Sequence, residues 1–377
     1  MVKLGKFSVI IIALSVLFLC ACPSTIAESE CVVYLFHKGT GQILTAEGVD
    51  EMRDCAGLAR LAPLVVISES IEDGSFKLST DITVSKSASK VKGPTAFVEA
   101  NERISAEALY KSAAMICAGD AVYALAEAIS GSEEGFVAVM NERLCELGVD
   151  CKYEDIIGQE VRLSARDIGK LAVALSECEC YLKYSGIYMD SIERAGGNVT
   201  ELVNPNRLAR NLMGCKGLAT GSSAEAGYCG AFYAERNGCE YICIVLGAED
   251  STDRFDRARA QIEAAFNSYT EYKIASAGEV LMTDFPIKGT VTRGCDIIAA
   301  SDLYVLTENT SEKPKCEYDI PNSLNAPIQS GTCIGNVRCM DASGNVLAVA
   351  ELTVGTDIKK AGFWDFFVIY AEEFMRR

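Results

Sequence analysis

The side chains that most often act as bases, nucleophiles or metal ligands are unevenly distributed in this chain. It contains 17 cysteines but a single histidine, His37. No two cysteines have the Cys-x-x-Cys spacing, and the close pairs after residue 27 are Cys178-x-Cys180 and Cys239-x3-Cys243. Structural zinc sites usually combine such pairs with further histidines, so the pattern predicts no metal site. His37 lies beside a predicted turn and is expected at the surface.

A second chemical signal is the pair Thr220-Gly221 in the stretch GCKGLATGSSAEAGYC. The stretch indicates a strand, a small polar loop and another strand. The residue before the pair is Ala219, so no basic side chain stands directly beside the threonine. Lys216 lies three positions earlier, and an odd offset on a strand points its side chain to the opposite face, toward solvent.

The helices and strands that must position these residues fall into two regions that differ in their sequence pattern. Residues 31–270 combine antiparallel hairpins with helices rich in Ala, Leu and Glu, which predicts an α+β domain. The predicted helices are Ser105–Ile129, Glu133–Leu147, Ser164–Glu177 and Arg254–Tyr269, after an apolar helix-like segment that ends at Gly74. The predicted strands include a hairpin in Cys31–Ala46, then Cys215–Leu218, Tyr228–Glu235 and Tyr241–Gly247. Residues 272–356 contain short strands and turns, with a hairpin turn at Asp341–Asn345, and predict a small all-β domain.

Length, hydrophobic content and net charge limit the classes of protein to which this chain can belong. The chain has 377 residues, of which 49% are hydrophobic, and this length suits two domains with a sizeable core. Its formal net charge of −17 argues against a nucleic-acid partner, because nucleic-acid-binding proteins need a basic face. The acidity by itself identifies no other partner.

The N-terminus has the layout of a secretory signal peptide covering residues 1–27. Lys3 and Lys6 precede an apolar run from Phe7 to Leu19, and Ala27 ends a stretch of small residues that suits cleavage. Leu19 to Cys22 also forms a rough lipobox, so lipidation of Cys22 is one alternative and an uncleaved N-terminal anchor is another. The sequence therefore predicts an exported protein.

The C-terminal segment, residues 357–377, predicts an amphipathic helix. Aromatic side chains recur on one helical face or beside it, and they are Phe363, Trp364, Phe366, Phe367, Tyr370 and Phe374. The apolar run is too short to span a bilayer. The pattern favours a helix that lies in the membrane interface, and packing onto the β domain is the alternative.

The order of these segments resembles the low-molecular-mass penicillin-binding proteins, the serine D-Ala-D-Ala carboxypeptidases of peptidase family S11. The resemblance covers the whole mature chain. The matching segments are GTGQILTAEGVDEMRDCAGLARL, AMICAGDAVYALAEAISGSEEGFVAVMNERLCELGV, RLSARDIGKLAVAL, GLATGSSAEAGYC and LNAPIQSGTCIGNVRCMDASGNVLAVAEL. The resemblance implies a transpeptidase domain of the penicillin-binding-protein/β-lactamase type followed by a small all-β domain, and it implies no cofactor.

Enzymes that this chain resembles need three motifs around one cleft. In Ser-x-x-Lys the lysine takes the proton of the serine nucleophile, Ser-x-Asn adds a hydroxyl and an amide, and Lys-Thr-Gly holds the substrate carboxylate. The corresponding positions here read Gly57-Leu58-Ala59-Arg60, Cys117-Ala118-Gly119 and Ala219-Thr220-Gly221. Arginine stays protonated and cannot accept the proton. The resemblance therefore implies that Gly57, Arg60, Cys117, Gly119 and Ala219 replace the catalytic side chains.

Part of the cleft is expected to persist around Thr220, Gly221 and Ser222, where a backbone oxyanion pocket could form with Gly57. Pro63 predicts that the helix carrying the first motif begins later than in the family.

Displaced motifs are weak candidates. The letters Ser-x-x-Lys also occur at Ser87–Lys90, in a polar stretch with no apolar helix behind it, and Ser-x-Asn occurs at Ser323–Asn325 and Ser343–Asn345, both in predicted turns. The thiol of Cys117 would need a lowered pKa to act as a nucleophile, and a packed structural cysteine is the favoured interpretation.

Three hypotheses remain. The first is an inactive carboxypeptidase homologue at the outer face of the cytoplasmic membrane that binds a peptidoglycan peptide or a wall-synthesis protein. The second is an active D-Ala-D-Ala carboxypeptidase that uses displaced residues, and the third is a purely structural exported protein. Losing the nucleophile of a coupled catalytic unit costs on the order of 10⁶ in kcat, or roughly 8 kcal/mol, which favours the first.

Overall fold

A computed structural model describes residues 31–194, 197–292, 294–309, 313–365, 367 and 375. The predicted signal peptide and three tail aromatics, Phe366, Tyr370 and Phe374, lie outside these residues.

The first region is built on a five-stranded antiparallel sheet. In chain order the strands of this whole region are β1 Val32–His37, β2 Ile43–Ala46, β3 Arg53–Asp54, β4 Asp81–Thr83, β5 Arg103–Ser105, β6 Arg162–Leu163, β7 Met189–Glu193, β8 Val199–Val203, β9 Cys215–Ser223, β10 Gly227–Arg236 and β11 Cys239–Ala248. The sheet has the order β2-β1-β11-β10-β9, so β9 is an edge strand. The other strands of this region form two-stranded pairs. The predicted N-terminal hairpin is confirmed as the β1–β2 pair.

Helices cover this sheet. In chain order they are α1 Leu61–Glu72, α2 Ala106–Ile116, α3 Gly119–Ser130, α4 Glu133–Glu146, α5 Ala165–Glu177, α6 Glu179–Ser185, α7 Leu208–Asn211 and α8 Ser251–Ser268. Consecutive residues from Tyr241 to Leu246 of β11 are all buried, so both faces of that strand are covered. Helices α5 and α8 both pack against β11.

Helix boundaries confirm some sequence signals and correct one. Helix α5 begins at Ala165, as predicted to within one residue, and Ser164 caps it by accepting a hydrogen bond from the amide of Asp167 at 3.0 Å. Helix α1 begins at Leu61, after a short 3₁₀ helix at Ala56–Arg60, and Pro63 therefore lies in its first turn. The single helix predicted for residues 105–129 is wrong, because Cys117 has a φ of 51° and separates α2 from α3.

The second region is all-β, as predicted. Its strands are β12 Tyr269–Ala275, β13 Val280–Lys288, β14 Gly294–Ala299, β15 Leu303–Glu308, β16 Lys315–Asp319, β17 Leu324–Asn325, β18 Cys333–Met340 and β19 Val346–Val354. Six of them form a sheet of order β16-β18-β19-β14-β13-β17, and β12 pairs with β15. The predicted turn at Asp341–Asn345 connects β18 to β19. A disulfide joins Cys316 to Cys339, which are register partners on β16 and β18.

The prediction that His37 lies at the surface is wrong. Its exposed fraction is 0%, and its ring packs edge-on against Tyr241 with centroids 5.3 Å apart. The reason is tertiary: Glu271, on the first strand of the second region, lies over the end of the β1–β2 hairpin and comes within 3.4 Å of the imidazole. Both regions belong to one compact unit, Val32–Arg377.

Candidate functional site

A cleft of about 1200 Å³ opens beside the short 3₁₀ helix and the end of β9. Five of the residues predicted for the site line it, and these are Gly57, Arg60, Thr220, Gly221 and Ser222. The other three predicted residues do not line it. Cys117 and Gly119 lie behind the Arg60 side chain, and Ala219 is buried within β9.

The 3₁₀ helix rests directly on the end of β9. A Cβ atom added to Gly221 would lie 2.4 Å from the backbone nitrogen of Gly57 and 2.8 Å from its Cα, so no side chain fits at position 221. A Cβ added to Gly57 would instead make ordinary van der Waals contacts, 3.5 Å from the Cα of Gly221 and from the carbonyl oxygen of Thr220 and 4.0 Å from Nη1 of Arg60. The backbone of position 57 is therefore held against the edge strand, with room on its cleft side.

Arg60 projects from the end of the 3₁₀ helix into the protein, and it is 7% exposed. Its Nη1 donates to the carbonyl oxygen of Cys117 at 3.0 Å, and its Nη2 donates to the carbonyl oxygen of Lys92 at 3.4 Å. Burial lowers the pKa of Arg60, but an arginine remains a cation at neutral pH. Among the described residues no carboxylate lies within ion-pair distance of this guanidinium, and its Nε has no hydrogen-bond partner.

Arg60 occupies the space that a side chain at position 119 would need. A Cβ added to Gly119 would lie 3.3 Å from Cζ and Nε of Arg60 and 2.8 Å from Cγ1 of Val91. The break between α2 and α3 supports this arrangement, because the left-handed conformation of Cys117 leaves its carbonyl free to accept from Arg60. The carboxylate of Asp120 fixes the start of α3 by accepting from the amides of Ala96 and Val98.

The thiols near the cleft are poor nucleophiles. Cys117 is 3% exposed, and burial raises its pKa to about 11 although the Arg60 cation acts in the opposite direction. Burial also raises the pKa of Cys55, which lines the cleft, to about 12. Because the thiolate is the reactive form, neither sulfur attacks readily at neutral pH.

Arg254 is a second buried cation of the cleft, and sequence reasoning missed it. It projects from the first turns of α8, and its Nη1 donates to the carbonyl oxygens of Gly221 at 3.0 Å and Cys229 at 2.9 Å. Burial lowers its pKa to about 10, so it stays charged at neutral pH. Its burial could have been predicted from the sequence, because Arg254 lies four residues before Ala258. Residues at this spacing share one face of a helix, and here it is the buried face of α8.

The displaced motifs lie elsewhere. The described residues that line the cleft include none from Ser87–Lys90, where Ala88–Lys90 forms a separate 3₁₀ turn. Lys216 points away from the cleft, as predicted, and its Nζ lies 2.5 Å from Oε2 of Glu235 at a partly exposed position.

The C-terminal tail presents aromatic side chains to solvent. Phe363, Trp364 and Phe367 are 76%, 72% and 55% exposed. Among the described residues, no helix combines the length and apolar character needed to cross a membrane.

Comparison with known proteins identifies the family. A family model described as D-alanyl-D-alanine carboxypeptidase, peptidase S11, matches residues 22–250, which is more than half of the chain. The chain belongs to this family. A second model, described as the C-terminal domain of penicillin-binding protein 5, matches residues 269–360.

Individual relatives span nearly the whole chain. D-alanyl-D-alanine carboxypeptidase DacF of Bacillus subtilis is 27% identical over 349 residues, which cover 91% of this chain and 89% of the relative. DacD of Salmonella typhimurium is 27% identical over 350 residues, covering 88% and 86% of the two chains. Penicillin-binding protein 5 from Haemophilus influenzae has a similar solved structure, with a TM-score of 0.80 at 22% identity over 87% of this chain and 97% of that one. The predicted fold class, a transpeptidase-like domain followed by an all-β domain, is thereby confirmed.

Proposed function

We propose that this protein is an exported, catalytically inactive member of the D-alanyl-D-alanine carboxypeptidase family, whose cleft binds the carboxylate end of a wall peptide. The family acts in cell-wall metabolism. One observation carries the proposal: two buried guanidinium groups, those of Arg60 and Arg254, border a cleft whose predicted nucleophile position is Gly57.

The absence of a nucleophile and a base at these positions supports inactivity. Position 57 has no side chain, Arg60 cannot accept a proton, and the thiols of Cys55 and Cys117 are protonated at neutral pH. A backbone pocket near Gly57 could still polarise a carbonyl, but acyl transfer also needs an attacking group.

The two arginines support binding of an anion. Their hydrogen bonds go to backbone carbonyls, and among the described residues neither guanidinium has a carboxylate within ion-pair distance. Removing an ion from water costs several kcal/mol, and a ligand carboxylate at the cleft would offset part of that cost. A peptide ending in a free carboxylate has the required chemistry, and an acidic segment of a wall-synthesis protein is the alternative ligand.

Export and membrane association form the remaining part of the proposal. The Cys316–Cys339 disulfide supports an oxidising compartment, in line with the predicted signal peptide. The exposed aromatic rings of Phe363, Trp364 and Phe367 support attachment of the tail to the outer face of the cytoplasmic membrane.

Two measurements on the purified protein test the cleft. Intact-mass analysis after incubation with a fluorescent penicillin should show no adduct, and a covalent adduct would refute inactivity. Calorimetric titration with a diacylated L-Lys-D-Ala-D-Ala peptide should show saturable binding without release of D-Ala. Release of D-Ala that one substitution abolishes would support the enzyme with displaced residues, and absence of binding would support the structural protein.

A matched pair of variants on α8 tests the role of the buried charge. Arg254→Gln should weaken peptide binding about 10- to 150-fold, because a hydrogen bond to a charged group contributes about 1.5–3 kcal/mol. Arg257→Gln should leave binding unchanged, since Arg257 pairs with Asp253 on a partly exposed face of the same helix. Equal affinity in both variants would contradict the assignment of Arg254, provided that both retain the wild-type melting temperature.

A further inference from the structure

A cluster of three metal-ligating side chains lies away from the cleft, where the first hairpin meets the second region. His37 ends β1, Cys239 begins β11, and Glu271 lies on β12. One ligand atom from each residue lies within 4.8 Å of the corresponding atoms of the other two. The chain thus brings together a nitrogen, a sulfur and an oxygen donor from three strands that are distant in sequence.

The imidazole of His37 presents an unused nitrogen to this cluster. Its Nε2 is fully buried and has no hydrogen-bond partner, although Oε1 of Glu271 is only 3.4 Å away. Two ligand atoms that each lie about 2.05 Å from a tetrahedral zinc ion are about 3.3 Å apart. The observed separation of nitrogen and oxygen therefore matches one edge of a zinc coordination tetrahedron.

The sulfur of Cys239 can complete the set with a small movement, and on binding the ion its thiol releases its proton to solvent. Zinc–sulfur bonds are about 2.3 Å long, so sulfur and nitrogen ligands of one ion lie about 3.6 Å apart. The three ligand atoms are at most 4.8 Å apart, so a side-chain rotation that moves the sulfur by roughly 1 Å brings them to the separations that one zinc ion requires. Cys239 and Glu271 are both partly exposed, which gives an ion a route to the buried imidazole.

Gly39 keeps the space around the cluster open for the ligands. A Cβ atom at this position would lie 3.0 Å from Oε1 of Glu271 and 3.2 Å from Cε1 of His37. Any side chain there would press on both ligands at once. The hairpin turn therefore has a glycine where the carboxylate approaches the imidazole.

The second nitrogen of His37 is held by the same turn. Nδ1 lies 3.0 Å from Oγ1 of Thr40 and 3.1 Å from its amide nitrogen, which donates to it in the metal-free ring. When Nε2 binds a metal ion, the proton moves to Nδ1, and Oγ1 of Thr40 can accept it. The partly exposed amide of Thr40 can then bond to water. Such a partner on the distal nitrogen is the usual support of a ligating histidine.

We infer that His37, Cys239 and Glu271 form a zinc site that joins the two regions of the protein. Mixed nitrogen, sulfur and oxygen donors suit a borderline-soft divalent ion, whereas Mg²⁺ and Ca²⁺ prefer oxygen ligands alone. Three protein ligands leave the fourth position to a water molecule. Because Glu271 belongs to the second region and the other two ligands to the first, the bound ion ties the regions together.

Metal substitution on the purified, chelator-treated protein tests this site. The protein should bind one equivalent of Zn²⁺, and the Co²⁺ form should show a thiolate-to-cobalt charge-transfer absorption. X-ray absorption of the zinc form should show one sulfur at about 2.3 Å with lighter ligands at about 2.0–2.2 Å. Zinc should also raise the melting temperature of the wild type.

Variants at the two partly exposed ligands avoid disturbing the core. Cys239→Ser should abolish the charge-transfer absorption and lower zinc affinity at least about 100-fold, more than the loss of an outer-shell partner costs. Glu271→Gln should lower affinity but keep that absorption, and the exposed control Cys145→Ser should change neither. A charge-transfer absorption that survives in Cys239→Ser, or sub-stoichiometric binding by the wild type, would overturn the assignment.

Discussion

Gly57 and Gly221 contact each other at the cleft, yet we expect alanine to have opposite effects at the two positions. At position 221 the new Cβ would lie 2.4 Å from the backbone nitrogen of Gly57, and a backbone atom cannot move aside without shifting the 3₁₀ helix. At position 57 the nearest atoms would be 3.5 Å away, an ordinary van der Waals distance. The asymmetry arises because only Gly57 has its free side toward the cleft.

The expected magnitudes follow from these distances. Overpacking of this kind costs about 1–3 kcal/mol, and each kcal/mol lowers Tm by about 2–4 °C in a domain of this size, so Gly221→Ala should melt about 2–12 °C lower. Gly57→Ala meets no clash and restricts the unfolded chain, which should stabilise the protein by about 0.4–1 kcal/mol. Urea denaturation and thermal melting of the two variants measure both effects.

A Gly221→Ala variant as stable as the wild type, or a shift of both variants in the same direction, would contradict the packing asymmetry between the two glycines. The same geometry gives a chemical corollary, because the space at position 57 also accommodates a serine. Gly57→Ser should fold and still form no adduct with penicillin, since Arg60 cannot take the hydroxyl proton. Intact-mass analysis decides this, and rapid labelling of the single variant would show that another base is present.

Three further predictions concern other parts of the molecule. Iodoacetamide at about pH 8 should alkylate the exposed Cys145 but not Cys117, because the pKa of about 11 of Cys117 leaves only about one in a thousand of its thiols ionised. Peptide mapping measures the alkylation, and fast alkylation of Cys117 would contradict its burial. Replacing both Cys316 and Cys339 by serine should destabilise the second region by about 2–4 kcal/mol, and reductant should then have no further effect on melting. Trp364→Ala should weaken sedimentation with anionic vesicles about tenfold or more, and unchanged sedimentation would argue against membrane attachment of the tail.

Local patterns predicted much of the fold. The hairpin in Cys31–Ala46, the start of α5 near Ser164 and the turn at Asp341–Asn345 could all be predicted from short stretches, because each depends on neighbouring residues. The α+β character of the first region and the all-β character of the second were predictable for the same reason. The break at Cys117 was not, since the flanking sequence is rich in helix-forming residues and the left-handed conformation is stabilised by Arg60 from a distant element.

Long-range contacts explain what the sequence concealed at the sites. His37 was expected at the surface because its local context is a turn, and only the packing of β12 over that turn buries it. The zinc ligands that we infer come from three strands, so they leave no spacing pattern for a motif search to find. Arg254 was hidden for a similar reason, because its role depends on the carbonyls of Gly221 and Cys229 rather than on its neighbours along α8.

The shared volume of Arg60 and Gly119 has a consequence for substitutions at either position. The guanidinium in its present position leaves little room for a side chain at residue 119, because a Cβ there would approach it to 3.3 Å and would lie 2.8 Å from Cγ1 of Val91. A larger residue at 119 requires Arg60 and Val91 to move, and a smaller residue at 60 would uncover the side of Gly119 that the guanidinium now covers. We therefore expect substitutions at positions 60 and 119 to be coupled, so that the stability effect of the double change differs from the sum of the single ones.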